Sequence, residues 1–291
     1  MAKAAVPFRR IAIVGVGLIG GSIGLALRRR RRGVRIVGVD RPGVLRVARR
    51  RGAIDGGTPS LARGLEGADL VVLALPVDGI LGTLPRLARL LPPGAVVTDT
   101  CGTKEAVIAA ARRAGLGARF VGGHPMAGSE RSGIRNASGA LFSGAPWIVC
   151  PASSAAAGSS TRRVAALAEL LGARPAVLGA RAHDRAVAGL SHLPQLISVA
   201  LVNAAASSAG GQLHLSGPAF RQMSRLAASP PALWEGILRT NHRATARAID
   251  EFIRELRRLR AVLGRGPGPH FRRAARARRR MQGWRTDRGV W

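Results

Sequence analysis

Residues 10–40 read RIAIVGVGLIGGSIGLALRRRRRGVRIVGVD, and the fold turns on them. Residues 10–14 are a short apolar run, which predicts a buried strand. Gly15-Val16-Gly17-Leu18-Ile19-Gly20 follows and matches G-x-G-x-x-G. Residues 19–32 read as a helix ending in arginines, where cations suit the negative end of the helix dipole. Residues 34–39 (VRIVGV) read as a second buried strand. The glycine pattern gains meaning from following a strand and opening a helix. Gly15 permits the tight turn, Gly17 lets the backbone approach a pyrophosphate, and Gly20 lets the helix pack close to the strand. A diphosphate then sits at the helix N-terminus, at Leu18 and Ile19, where free N–H groups favour anions. Asp40 ends the second strand. A carboxylate there accepts from ribose hydroxyls and repels a 2′-phosphate, so the stretch predicts NAD. Arg41 argues the other way, because a guanidinium can pair with a 2′-phosphate; NADP is the weaker expectation.

The same alternation continues outward. Strands are predicted at 69–75 (DLVVLAL), 95–98, 119–122, 146–150 and 174–178, and helices near 43–52, 78–91 and 155–171. Strands alternating with helices predict an α/β fold, a Rossmann-type, mostly parallel sheet with helices on both faces. Pro76 follows the strand 69–75, at the carboxyl edge where such sheets bind ligands. The segment 99–104 (DTCGTK) ends a neighbouring strand near the nicotinamide. This domain is expected over residues 8–179. From about residue 180 the pattern changes to long helical runs, 181–207 and 231–263. The second carries Leu233, Ile237, Ile249, Phe252, Ile253, Leu256, Leu259 and Leu263, mostly at helical spacing. Residues 180–263 therefore read as an all-helical C-terminal domain. Its apolar faces suit either a dimer contact or packing within one chain. Residues 264–291 open with GRGPGP and carry nine arginines against one aspartate, and they read as a flexible basic tail.

Composition narrows the partners. The 291 residues carry a net charge of +31, with Lys3 and Lys104 the only lysines. Arginines scattered over solvated surface need no partner; nucleic acid, held by the tail, is the competing expectation. There is no tyrosine, and only six Phe and four Trp, so stacking platforms for single strands are scarce. Cys101 and Cys150 are too few for a disulfide framework, which fits a reducing cytoplasm. The six histidines show no ligand spacing, and no metal is expected. Residues 11–27 are apolar and follow Arg9-Arg10. Five glycines, the run Arg28–Arg32 and the absence of a small-residue cleavage site argue against a signal peptide. No other segment reads as a membrane span, so the chain is expected to be soluble.

The chemistry centres on 122–130 (GGHPMAGSE). His124 follows a strand in a Gly/Pro-rich loop facing the cleft, and imidazole suits accepting a hydroxyl proton near neutral pH. A structural hydrogen bond is the plainer role for a loop histidine. HPMAGSE resembles the signature of the prephenate/arogenate dehydrogenase family. GVGLIGGSIGLAL, TDTCGTKEAV, HDRAVAGLSHLPQLIS (183–198) and FRQMSRLAASPPALWEGILRTN (220–241) resemble further family segments in the same order. The resemblance covers nearly the whole chain up to residue 263.

It implies NAD-dependent oxidative decarboxylation of prephenate in tyrosine biosynthesis, with arogenate as the alternative substrate, and a homodimer through the helical domain. His124 matches the catalytic histidine and Arg225 the arginine that holds the ring carboxylate. Ser129, His192 and Gln195 fall at substrate-lining positions. Read without the resemblance, Arg225 is one more surface arginine and His192 a packing histidine. His183 and Asp184, at the domain junction, are expected to serve packing or a helix N-terminus. Three positions depart from the common pattern. Gly102 follows Cys101 where many relatives carry a serine, leaving Thr100 or Thr103 as the nearest hydroxyls. Gln195 replaces a second histidine, and Gln222 an aspartate. Another two-domain NAD(P) reductase would usually place a lysine in its second domain, and this chain has none there.

Overall fold

The computed structural model describes residues 8–283, apart from 31–32, 129–130, 155 and 157. Eight strands form one sheet: β1 (Arg10–Val14), β2 (Arg35–Val39), β3 (Gly56–Thr58), β4 (Leu70–Leu73), β5 (Val96–Asp99), β6 (Phe120–Pro125), β7 (Pro146–Pro151) and β8 (Arg174–Val177). The order is β3-β2-β1-β4-β5-β6-β7-β8. All pairings are parallel except β6 with β7. Between them run α1 (Leu18–Arg30), α2 (Pro42–Arg50), α3 (Leu61–Leu65), α4 (Val77–Leu90), α5 (Glu105–Arg113) and α6 (Ser159–Leu170). The expected Rossmann-type architecture is present. Chain order reverses between β1 and β4, and that opens a crevice at the carboxyl edge.

Both sheet faces are covered, so the strands read as continuous apolar runs. Ile11 and Ile13 pack with Ile23, Leu27, Trp147 and Val164 on one face. Ala12 and Val14 pack with Val71, Leu73, Leu84 and Phe120 on the other.

The rest is helical. α7 (Ala180–Val187) and α8 (Leu193–Ser208) join through a π-helical turn at Ala188–His192. α9 (Pro218–Ser224) leads into a 3-10 turn at Arg225–Ala228, and then α10 (Pro231–Thr240) and α11 (His242–Ala261). The run 231–263 is thus two helices, broken at Asn241, whose φ of −122° and ψ of 24° are not helical. Gly236 sets α10 hard against α4: a Cβ there would meet Val77 Cγ1 at 2.5 Å. Exposed Arg239 and Asp78 pair beside this contact.

The structure corrects several expectations. β3 and α5 had no place in the sequence reading. His124 lies inside the end of β6, paired with Ile148, rather than in a loop. Part of the segment read as a tail has regular structure: α12 (Gly268–Gly283) is a helix, tied to α11 by Arg273 and Glu255 at 3.0 Å. Arginine and alanine are strong helix formers, and the Gly/Pro stretch before them only separates the two helices. Finally, the continuous helix 180–208 is long and apolar enough to cross a membrane by length and composition, with mean hydropathy 1.3 in its most apolar window. It also carries buried His183, Asp184, His192, Gln195 and Ser198, each bonded to other protein groups, as in a packed helix.

Candidate active site

The cofactor crevice begins at the glycine turn. Gly15 has φ +90°, and a Cβ on it would meet Ala74 O at 2.4 Å. A Cβ on Gly20 would meet Gly15 O at 2.0 Å, so turn and helix touch directly. Gly17 differs: a Cβ there meets nothing within 4 Å. Its backbone faces open space in front of α1, which begins at Leu18 and Ile19, the room a diphosphate needs. Asp40 anchors the turn, accepting from Val16 N at 2.8 Å and from Arg41 N at 2.7 Å. Each carboxylate oxygen keeps a lone pair for a ribose hydroxyl. Arg41 is exposed before α2, and Pro76 caps α4 beyond β4. These residues fit a dinucleotide.

Next along the edge, β5 ends in a buried ion pair between Asp99 and Lys104. Asp99 also accepts from Cys101 N at 2.9 Å and Gly123 N at 3.1 Å, and so fixes the backbone just before His124. Burial is the largest single influence on Lys104 and opposes its charge, yet the Asp99 carboxylate together with Cys101 and Cys150 holds the lysine pKa above its ordinary value. Burial pushes the Cys101 thiol up and the Cys150 thiol to about 12.

His124 Nδ1 lies 2.8 Å from His183 Nε2. His183 Nδ1 lies 2.7 Å from Asp184 Oδ1. The His124 Nε2 edge faces Gly102, where a Cβ would stand 3.9 Å away. Thr103, one of the two nearest hydroxyls, is engaged with Thr240 Oγ1 at 2.9 Å. Burial, then His183, Lys104 and His192, hold the His124 pKa well below the ordinary imidazole range. The ring is therefore neutral near pH 7 and can act as a proton acceptor.

The helical domain closes the site from above. His192 is buried, with Thr245 Oγ1 at 3.3 Å and Asn241 Nδ2 at 3.2 Å from Nδ1. Asn241 Nδ2 also donates to Asp184 O at 2.8 Å, so it is the amide nitrogen that faces His192. A donor at Nδ1 leaves the His192 proton on Nε2. Burial lowers the His192 pKa to about 4. Gln195 Nε2 donates to Leu226 O at 2.8 Å, and Ser198 Oγ accepts from Ala227 N at 2.9 Å. The two residues pin the turn that carries Arg225, which is exposed. Gln222 is exposed on α9. Trp234 stands edge-on to His192 at 6.0 Å, with its Nε1 buried and unbonded. Ser129 lies outside the described residues. Among the described residues, no cluster of three His, Cys, Asp or Glu could hold a metal ion.

Sequence reasoning expected a helix N-terminal role, which Asp184 fills at the start of α5, but it missed the contact of His183 with His124 and those of Asn241 with Asp184 and His192. Their partners lie 49 to 80 positions away in the chain, beyond any local pattern. The HD and SH pairs within 183–192 were the available signal.

Comparison with known proteins agrees in both halves. A family model described as the nucleotide-binding domain of prephenate dehydrogenase matches residues 23–178. One described as its dimerization domain matches residues 179–276. The prephenate dehydrogenase of Lactococcus lactis subsp. cremoris (strain MG1363) is 32% identical over 254 residues, 85% of this chain and 69% of that protein. The arogenate dehydrogenase of Synechocystis is 31% identical with a TM-score of 0.78, over 94% of this chain and 99% of that one. The prephenate dehydrogenase of A. aeolicus, solved with hydroxyphenyl propionate and NAD+, is 28% identical with a TM-score of 0.83, over 96% and 99%. A match that runs in order through the sheet domain and the helical domain makes this chain a member of the prephenate dehydrogenase family.

Proposed function

We propose that the protein is an NAD-dependent prephenate dehydrogenase that oxidatively decarboxylates prephenate to 4-hydroxyphenylpyruvate, in the cytoplasm. The observation that carries this reading is the His124 ring, neutral and held by its Nδ1 edge at the mouth of a dinucleotide crevice. Bound NAD supplies the hydride acceptor. His124 Nε2 takes the ring hydroxyl proton as the C–H bond breaks. Arg225 grips the ring carboxylate, a task suited to a guanidinium fork. Gln195 acts by holding the Arg225 turn, while His192 and Trp234 offer N–H donors to the side-chain carboxylate; for Ser129 a substrate contact rests on the family resemblance alone. Loss of CO2 makes the ring aromatic and the step irreversible.

Arogenate is the second reading, favoured by the likeness to the Synechocystis enzyme. Arginine, histidine, glutamine and tryptophan offer donors rather than the acidic partner an amino group needs, so prephenate comes first. NADH or NADPH formation, with each substrate against NAD and NADP, tests this. Turnover with prephenate and NAD is expected. Turnover with arogenate alone would reassign the substrate, and none with either would overturn the reading.

The protein is also proposed to act as a homodimer through its helical domain. Leu190, Leu233, Ile253 and Leu256 are 71%, 49%, 39% and 49% exposed in the single chain. We propose domain limits of 8–179 and 180–263, supported by the change of architecture, with 264–291 as an appendage.

A further inference from the structure

His183 and Asp184 are buried on α7, yet their polar atoms engage β6 and α5 of the sheet domain. Asp184 Oδ1 accepts the Lys104 backbone N–H at 2.7 Å and lies 2.7 Å from His183 Nδ1. Its Oδ2 accepts the Glu105 N–H at 2.9 Å. A carboxylate that faces a ring nitrogen this closely accepts from it, so His183 carries its proton on Nδ1. In neutral His183 the other nitrogen, Nε2, is a bare lone pair. It lies 2.8 Å from His124 Nδ1, and that contact is a hydrogen bond only if His124 Nδ1 carries the proton. His124 Nε2 is then the free acceptor.

We infer that His183 and Asp184 are positioning residues, which fix His124 in the Nδ1–H tautomer through two hydrogen bonds in series and leave Nε2 open to the substrate hydroxyl. This rests on His124 being the base. Glycine at 102 offers no side chain to steady the ring from the Nε2 side, so alignment depends on the Nδ1 edge. When Nε2 gains the proton, the ring becomes a cation. Burial and Lys104 oppose that charge, His192 faces it as a neutral ring, and the His183 lone pair backed by Asp184, with Asp99 paired to Lys104, offsets it.

The test uses full-length protein carrying His183→Leu, His183→Gln, Asp184→Asn or His124→Asn, with thermal unfolding measured for each. His183→Leu should cut kcat by about a hundredfold, the order of a general-base contribution, with little change in the KM for NAD. His183→Gln should recover much of the loss, because its carbonyl can accept from Nδ1–H. Asp184→Asn should mimic His183→Leu if it folds; its role at the start of α5 makes the His183 pair the deciding variants. Equal kcat in His183→Leu and His183→Gln would reduce both residues to packing and overturn the inference. Normal turnover in His124→Asn would instead overturn the base assignment beneath it.

Discussion

The two halves of the molecule bury different things. Among the described residues, every buried apolar side chain lies between Phe8 and Ala188. The buried side chains that follow are all polar: His192, Gln195, Ser198, Asn241 and Thr245. Meanwhile Leu215, Leu263 and Met223 of the second half are 72%, 68% and 60% exposed. The sheet domain completes its own core. The helical domain is joined to it by hydrogen bonds around the reaction centre and leaves its apolar faces open. On the proposed function, the first half carries the chemistry on a rigid frame, and the second the grip on substrate and the contact with another copy.

That division can be broken by experiment. The largest effect is expected from His124→Asn, which should cut turnover by about a hundredfold or more while NAD affinity, measured by fluorescence titration, stays the same. Next comes Arg225→Ala. Loss of a charge-assisted pair of about 1.5–3 kcal/mol should raise the substrate KM roughly tenfold to a hundredfold, with kcat little altered. A collapse of kcat instead would move chemistry into the helical half. Ile253→Glu paired with Leu256→Glu should convert dimers to monomers in sedimentation and remove the concentration dependence of Tm. A variant that sediments as the parent would mean these faces are solvated. The smallest effect is expected from deleting 268–291. Turnover should stay within about twofold, because α12 is a solvent-facing terminal element. A large loss would bring the basic helix into the site.

The sequence was most legible where local rules apply. The runs 10–14 and 69–75 and the glycine turn between β1 and α1 each carry their own apolar or conformational signature. β3 does not: Gly56-Gly57-Thr58 is a strand because it pairs with Val37–Val39 at the sheet edge, and a Cβ on Gly57 would meet Leu45 Cδ2 at 2.8 Å. Asn241 breaks the run 231–263 so that its amide can reach Asp184 O and His192, which no helical periodicity encodes. The site was legible in its parts. His124 and Asp40 follow from place and chemistry, and Arg225 from resemblance. The link from His124 to His183 and Asp184 joins β6 to α7, and only the folded chain brings them together.

The two cysteines turn the reaction edge into its own reporter. Both thiols are buried around the Asp99–Lys104 pair, and burial raises the pKa of each, that of Cys150 to about 12. Alkylating reagents attack the thiolate, so the closed molecule is nearly inert to them. Labelling then proceeds only through excursions that expose this edge to water, and its rate clocks them. A dinucleotide that binds the closed form should slow that clock without touching either sulfur.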